Sequence, residues 1–283
     1  MSPLFKDKEY LKVDVEDRDD EDDSLWMKCK SCGKLVFKKK VRENKNICPN
    51  CGEYFFLTAK ERIRMLVDKG SYEDHTLRIE SSDPLEFSDV KGYRERLKQT
   101  QEETGMLDAI LVGTAEIRER PILLGAMDFR FIGGSMGSVL GEQIAHGIEV
   151  AVEKNLPFVL VSSSGGARMQ EGLFSLFQMV KTTGAREELK EAQLPFISVM
   201  AYPTTAGVEA SIASLGDVII AERGALIGFA GRRVIEDTIG EQLPPSFQSG
   251  EFAFEHGMVD KVIERDNLRD ELSSILGYFN GKR

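Results

Sequence analysis

Histidine is scarce in this sequence, with three in 283 residues, at positions 75, 146 and 256. Chemistry that leans on several imidazoles is therefore poorly supplied, and any histidine base must come from a very short roster. Long apolar runs are missing as well. None approaches the roughly 18 residues that a bilayer-spanning helix requires. The N-terminal stretch MSPLFKDKEYLKVDVEDRDD has no apolar h-region and is too acidic for a transit peptide, so a cytoplasmic location is expected. Basic excess is lacking too: a net charge of −10 argues against a whole-protein binder of nucleic acid or of a membrane surface.

Charge is unevenly spread. Residues 14–23 hold eight carboxylates and one arginine, which predicts a solvated, disordered acidic arm over 1–24. Residues 28–45 then hold seven lysines, one arginine and one glutamate. The composition of the whole sequence, 41% hydrophobic and 30% charged, is that of a soluble globular chain long enough for one large core and a small appendage.

Cysteine is absent everywhere except in CKSCGKLVFKKKVRENKNICPNCG, where Cys29, Cys32, Cys48 and Cys51 form two C-x-x-C pairs. Each pair brings two thiolates toward one ion, and Gly33 and Gly52 suit the positive-φ backbone of such turns. Four soft ligands complete a tetrahedron around Zn²⁺ with no position left for water, so the site is structural. Two disulfides are the alternative, and nothing suggests an oxidising compartment. A zinc ribbon over 25–57 follows. Its Phe37, Lys38, Lys39 and Lys40 keep a nucleic-acid-binding module open as a function. Thr58 and Glu61 then make a capping box for a helix that ends toward Gly70.

From about residue 104 onward, β-branched runs alternate with helix-period segments. AILVGTAEI and PILLGAMDF read as a strand pair, residues 137–155 as helix, 156–164 as a buried strand, 169–192 as helix and 194–202 as strand. A short helix, strands DVIIAE and ALIGFAG, and helices over 249–257 and 266–279 complete the pattern. Pro157 and Pro195 fall at strand starts, where a missing N–H costs little. The alternation predicts an α/β domain over 58–283 with right-handed crossovers, and there is no internal repeat.

Ligands in such folds gather at the carboxyl ends of strands. Three glycine-rich turns are expected there: FIGGSMGS (131–138), SSSGGAR (162–168) and TTAGVEAS (204–211). Two chemistries compete. GGSMG fits the nucleophile elbow G-x-S-x-G, so a serine hydrolase would use Ser135 with an acid such as Asp217 and His256. Otherwise unpaired main-chain N–H groups at the turns stabilise an oxyanion, as enolate formation from an acyl thioester requires.

Six segments carry a resemblance: CKSCGKLVF with NICPNCG, DPLEF, GGSMGSVLGE, SGGARMQEG, GVEASIASLGD and ALIGFAGRRVIE with LPPSFQ. In unbroken order over residues 25–278 they resemble the β subunit of the carboxyltransferase of bacterial-type acetyl-CoA carboxylase. That resemblance implies a crotonase-like ββα superhelix behind the zinc ribbon. It also implies a separate α subunit of the same fold in an α2β2 assembly, inactive without both chains. The family moves a carboxyl group from carboxybiotin, held on the biotin carboxyl carrier protein, to acetyl-CoA, giving malonyl-CoA for fatty-acid synthesis. ATP is used by the biotin carboxylase partner. The proton from the acetyl methyl goes to the biotin ureido nitrogen, so no histidine base is needed.

Carried over by position, the oxyanion donors fall in Gly165 and Gly166 and in Ala206 and Gly207, with CoA held mainly on this chain. Arg168, Lys181, Arg232 and Arg233 are the basic candidates for the CoA phosphates. The family reads T-G-G-V-S-A at the second turn, whereas this chain has Thr205-Ala206-Gly207-Val208-Glu209-Ala210. Ala206 introduces about 1–2 kcal/mol of strain if its φ is positive. A Glu209 carboxylate near an enolate would oppose it by roughly 1–4 kcal/mol unless it points away or pairs with an arginine.

Overall fold

The computed structural model describes residues 25–280, so the acidic arm expected over 1–24 lies outside the described residues. A small N-terminal unit holds the hairpin β1 (Trp26–Lys28) and β2 (Leu35–Phe37) and the short helix α1 (Lys38–Glu43). Its core is minimal: Cys29, Val36, Val41 and Cys48 are its buried apolar residues. A unit this small needs a covalent or metal staple to hold its shape.

Helix α2 (Ala59–Leu66) starts on the expected capping box. Thr58 Oγ1 accepts from the Glu61 N–H at 3.1 Å, and Glu61 Oε2 accepts from the Thr58 N–H at 2.8 Å. It ends at Leu66, before Gly70. Strand β3 (Glu73–Asp74) and helix α3 (Tyr93–Thr104) follow, then β4 (Ile110–Ile117), β5 (Arg120–Met127), α4 (Ser138–Lys154), β6 (Phe158–Ser164), α5 (Leu173–Glu191) and β7 (Phe196–Thr205). The chain closes with α6 (Ala206–Glu209), β8 (Val218–Glu222), β9 (Ile227–Gly228), α7 (Arg232–Ile239), α8 (Gly250–Glu255), β10 (Lys261–Ile263) and α9 (Leu268–Asn280).

One eight-stranded sheet organises the larger unit, in the order β10-β8-β7-β6-β5-β4-β3 with β9 added beside β7. Strands β5, β6, β7, β8 and β10 run parallel, and β3 and β4 are antiparallel additions at one edge. Every residue of β6 is buried, as expected of a central strand covered on both faces. Phe158 and Phe196 open β6 and β7 side by side, each directly after a proline, and their rings stack at 5.4 Å.

Three elements differ from the sequence expectation. The helix expected over 169–192 is broken: a 3₁₀ turn spans Met169–Glu171, and Gly172, at φ 51°, precedes α5. ALIGFAG contributes only two strand residues, Ile227 and Gly228. Helices α3 and α7 are absent from the sequence expectation: α3 is dominated by charged residues and carries little apolar rhythm, and α7 is amphipathic but only eight residues long, with none of them buried.

A buried ionic cluster joins the small unit to the large one. Arg265 donates to the carbonyls of Lys45, Asn46 and Phe55 at 3.0–3.1 Å, and its guanidinium lies 4.4 Å over the Tyr54 ring. The same guanidinium pairs with Glu222 at the end of β8, which also pairs with Arg62 of α2. Phe56 adds an aromatic contact, stacking on Phe129 at 4.8 Å.

Candidate active site and zinc centre

The four cysteine Sγ atoms lie within 4.8 Å of one another, and all four are free thiols. Cys29 and Cys51 stand 3.7 Å apart, Cys32 and Cys48 4.0 Å. Zn–S bonds of about 2.3 Å at tetrahedral angles place sulfurs about 3.8 Å apart, so the donor set fits zinc and leaves no open coordination position. The N–H of Cys32 helps hold the Cys29 thiol down to about 7, the direction that favours a thiolate ligand.

The glycine-rich turns meet where β5, β6 and β7 end. The first and second are stitched together by main-chain bonds: Gly165 N–H donates to Gly133 O at 2.8 Å, Met136 N–H to Gly166 O at 2.8 Å and Arg168 N–H to Met136 O at 3.0 Å. Gly134 takes φ 63°, and a Cβ there would collide with the Ser163 carbonyl. The second and third turns touch directly. A Cβ on Gly207 would stand 3.5 Å from the Ala167 nitrogen, and one on Gly166 would stand 3.2 Å from the Gly207 nitrogen.

This arrangement sorts the expected donors. The Gly165 amide is engaged with Gly133, and that of Gly166 with Ser164 Oγ at 3.0 Å. Among the described residues, the amides of Ala167, Ala206 and Gly207 donate no turn or loop bond, and the last two lie in the first turn of α6, where amides have no partner inside the helix. Ala167 was not singled out by sequence, because which amides the neighbouring loop consumes is a tertiary fact. Ala206 has φ 51°, the strained alternative. Glu209 is only 7% exposed, no cation pairs with it among the described residues, and burial pushes its carboxyl up. Behind the third turn, Met179, Val180, Thr183, Gly184, Ala210 and Leu215 help line a groove of about 520 Å³.

The serine-hydrolase constellation is not assembled. Ser135 Oγ donates to Ile132 O at 2.7 Å and accepts from Arg168 Nε at 3.2 Å. Asp217 is bound to Arg186 and to the Phe196 N–H. His256 bonds Phe252 O and stacks on the Phe252 ring at the end of α8. Each group is committed elsewhere, so no base reaches the hydroxyl.

The basic candidates separate as well. Arg168, expected at the CoA phosphates, is fully buried, and all five of its N–H donors are taken by Asp108, Tyr93 and Ser135. No phosphate can reach it without displacing those partners. Arg232 donates to the carbonyls of Leu243, Pro244, Pro245 and Phe247 and braces that loop. Lys181 pairs with Glu142 at 2.8 Å and remains partly exposed. Arg233 is exposed in the first turn of α7.

Comparison with known proteins gives one answer along nearly the whole chain. The family described as Carboxyl transferase domain matches residues 56–280, and that described as Acetyl-CoA carboxylase zinc finger domain matches residues 26–51. The acetyl-coenzyme A carboxylase carboxyl transferase subunit beta of Synechococcus sp. (strain CC9311) is 48% identical over 262 residues, covering 93% of this chain and 90% of the relative. The chloroplastic subunit beta of Pyropia yezoensis is 49% identical over 258 residues, covering 91% and 90%. Among solved structures, transcarboxylase 12S with methylmalonyl-coenzyme A bound superposes with a TM-score of 0.65 at 25% identity, covering 84% of this chain and 43% of that one. The Pseudomonas malonate decarboxylase MdcD–MdcE heterodimer gives a TM-score of 0.59 at 27% identity, covering 80% and 86%. With the crotonase-like sheet and the four-thiol ribbon both in place, the chain belongs to the family of acetyl-CoA carboxylase carboxyl transferase β subunits.

Proposed function

We propose that the chain transfers a carboxyl group to acetyl-CoA, forming malonyl-CoA, and that the amides of Ala167 and Gly207 hold the thioester oxygen as it becomes an enolate. The observation that carries this reading is the pair of unengaged N–H groups on two touching turns at the carboxyl ends of adjacent parallel strands. Charge developing on one carbonyl oxygen is what such fixed donors stabilise, and each is worth roughly 2.7–4 kcal/mol in known oxyanion holes. Gly166, Ala206 and Gly207 shape the approach, since any bulk there would close the gap between the turns.

Biotin, delivered on its carrier protein, supplies the carboxyl group, and ATP is consumed by a separate biotin carboxylase. The α subunit of the same fold completes the site in an α2β2 assembly. The outer face of α5 supports such a partner: Leu173, Phe174, Leu176, Phe177 and Val180 are all exposed there. Lys181 and Arg233 are the basic side chains left for the CoA phosphates. One zinc per chain is structural, and the assembly works in the cytoplasm. Neither a hydrolase using Ser135 nor a nucleic-acid module using Lys38–Lys40 is favoured.

The test is the reverse reaction. Mixed with a purified α-type partner, malonyl-CoA and biocytin, the chain should release acetyl-CoA. A folded α–β complex that yields none overturns the assignment.

A further inference from the structure

Arg168 and Asp108 are a buried pair to which the oxyanion chemistry gives no direct part. Arg168 is 0% and Asp108 3% exposed, so neither touches substrate in this conformation. Their bond is bidentate, 2.7 Å on both sides. The guanidinium also donates to Ser135 O at 2.7 Å, to Ser135 Oγ at 3.2 Å and to Tyr93 Oη at 3.2 Å. Tyr93 in turn donates to Glu171 Oε1 at 2.6 Å, and Glu171 Oε2 accepts from the Ser138 N–H that opens α4, also at 2.6 Å.

Two glycine-rich turns are thereby gripped from behind by one cation. Gly166 stands at φ 112°, a conformation that glycine permits but does not enforce. The Ala167 amide lies directly between the two main-chain bonds made by Gly166 O and by Arg168 N–H. Its direction is set by how firmly residue 168 is anchored. An arginine fork is suited to this, because five donors in one plane fix position and rotation together, which a lysine cannot do.

We propose that the Arg168–Asp108 pair is the positioning device of the oxyanion site, holding the 165–168 turn against the 131–138 turn so that the Ala167 amide faces the third turn. This rests on the carboxyltransferase reading above. Tyr93 and Glu171 extend the same grip to the start of α4.

The experiment compares wild type, Arg168→Lys, Asp108→Asn and the near-isosteric Tyr93→Phe in the α–β complex. Measurements are kcat and KM for malonyl-CoA in the reverse reaction, with hydrogen exchange over residues 162–171. Positioning predicts kcat lower by about 100-fold in the first two variants, the scale of an ångström-sized misplacement, with KM within about twofold. Exchange at 165–168 should quicken, and Tyr93→Phe, which keeps the fold, should shift both readouts the same way by less. Unchanged kcat in variants that assemble overturns the proposal, as does a raised KM at constant kcat, which would mean that Arg168 binds substrate. Exchange at 165–168 that stays at wild-type rates also overturns it. An inactive wild-type complex counts against the carboxyltransferase reading instead, and the exchange comparison still decides the positioning role.

Discussion

The Cβ of Ala206 stands 2.6 Å from the place a Cβ on Gly166 would occupy, so these two residues set the closest approach between the second and third turns. Ala206 is also held at φ 51°, where an L-residue is strained by about 1–2 kcal/mol. Glycine there would remove the strain but gain unfolded-state freedom worth about 0.4–1 kcal/mol. Ala206→Gly is therefore expected to stabilise the chain by roughly 0.5–1 kcal/mol, read as a higher urea midpoint at unchanged slope. A lower midpoint would show that the strain is absent.

Gly166→Ala should do the opposite. Its φ of 112° is closed to alanine, and the new methyl would press on Ala206 and on the Gly207 nitrogen. Strain and overpacking together predict a loss of about 2–4 kcal/mol. The turns would be forced apart, so reverse carboxyltransfer should fall well beyond what the stability loss explains. Retained activity in a folded variant would place the reacting oxygen elsewhere.

How much of this was legible in the sequence follows from the range of the forces involved. Strands β4 to β8 were readable because β-branched runs and flanking prolines are local signals. The zinc ligands were readable because two C-x-x-C pairs are nearly self-contained. Arg168 reads as a phosphate candidate in the sequence because its partners Asp108 and Tyr93 lie 60 and 75 residues away, and only folding brings a cation, an acid and a phenol into one buried cluster. The engagement of the Gly165 amide by Gly133 was hidden for the same reason. The burial of Glu209 without a cationic partner among the described residues is likewise a tertiary fact.

Glu209 gives a pH test. Burial raises its carboxyl pKa above the ordinary value of 4.5, so the folded state holds its proton more tightly than the unfolded state. Stability from this group is complete below about pH 4.5 and is lost as pH rises through the folded value. Glu209→Gln should remove that slope and raise the melting temperature at neutral pH. Parallel pH–stability curves for variant and wild type would count against a buried, unpaired carboxylate.

Zinc removal should act locally first. The ribbon's buried apolar core is Cys29, Val36, Val41 and Cys48, two of which are themselves ligands. Stripping the metal from the full chain, or Cys48→Ser, is expected to expose residues 26–55 to hydrogen exchange and proteolysis while the eight-stranded sheet persists. Arg265 would then lose the carbonyls of Lys45, Asn46 and Phe55, so the melting temperature of the larger unit should also fall. An unchanged exchange pattern over 26–55 would show that the ribbon holds without its ion.

Glu222 concentrates the acid sensitivity of the fold. It is fully buried, and burial alone would raise its carboxyl pKa; Arg62 and Arg265 outweigh that and hold it at about 2. Burial, with Arg62 alongside, pushes Arg265 down despite the pull of Glu222, as expected when two cations share one anion. The group's folded pKa lies below its unfolded value of 4.5, so its contribution is complete above about pH 4.5 and fades as pH falls toward 2. Glu222→Gln removes the shared anion and leaves two buried guanidinium groups without a counter-charge, a loss of about 3–5 kcal/mol. Because Arg265 grips the ribbon, that variant should loosen residues 45–55 as well as unfold earlier, and it should be less sensitive than wild type between pH 4.5 and 2. If wild type and Glu222→Gln lost stability in parallel over that range, the acid transition would belong to other carboxylates, such as Asp68, whose pKa is lowered chiefly by the N–H of Glu119.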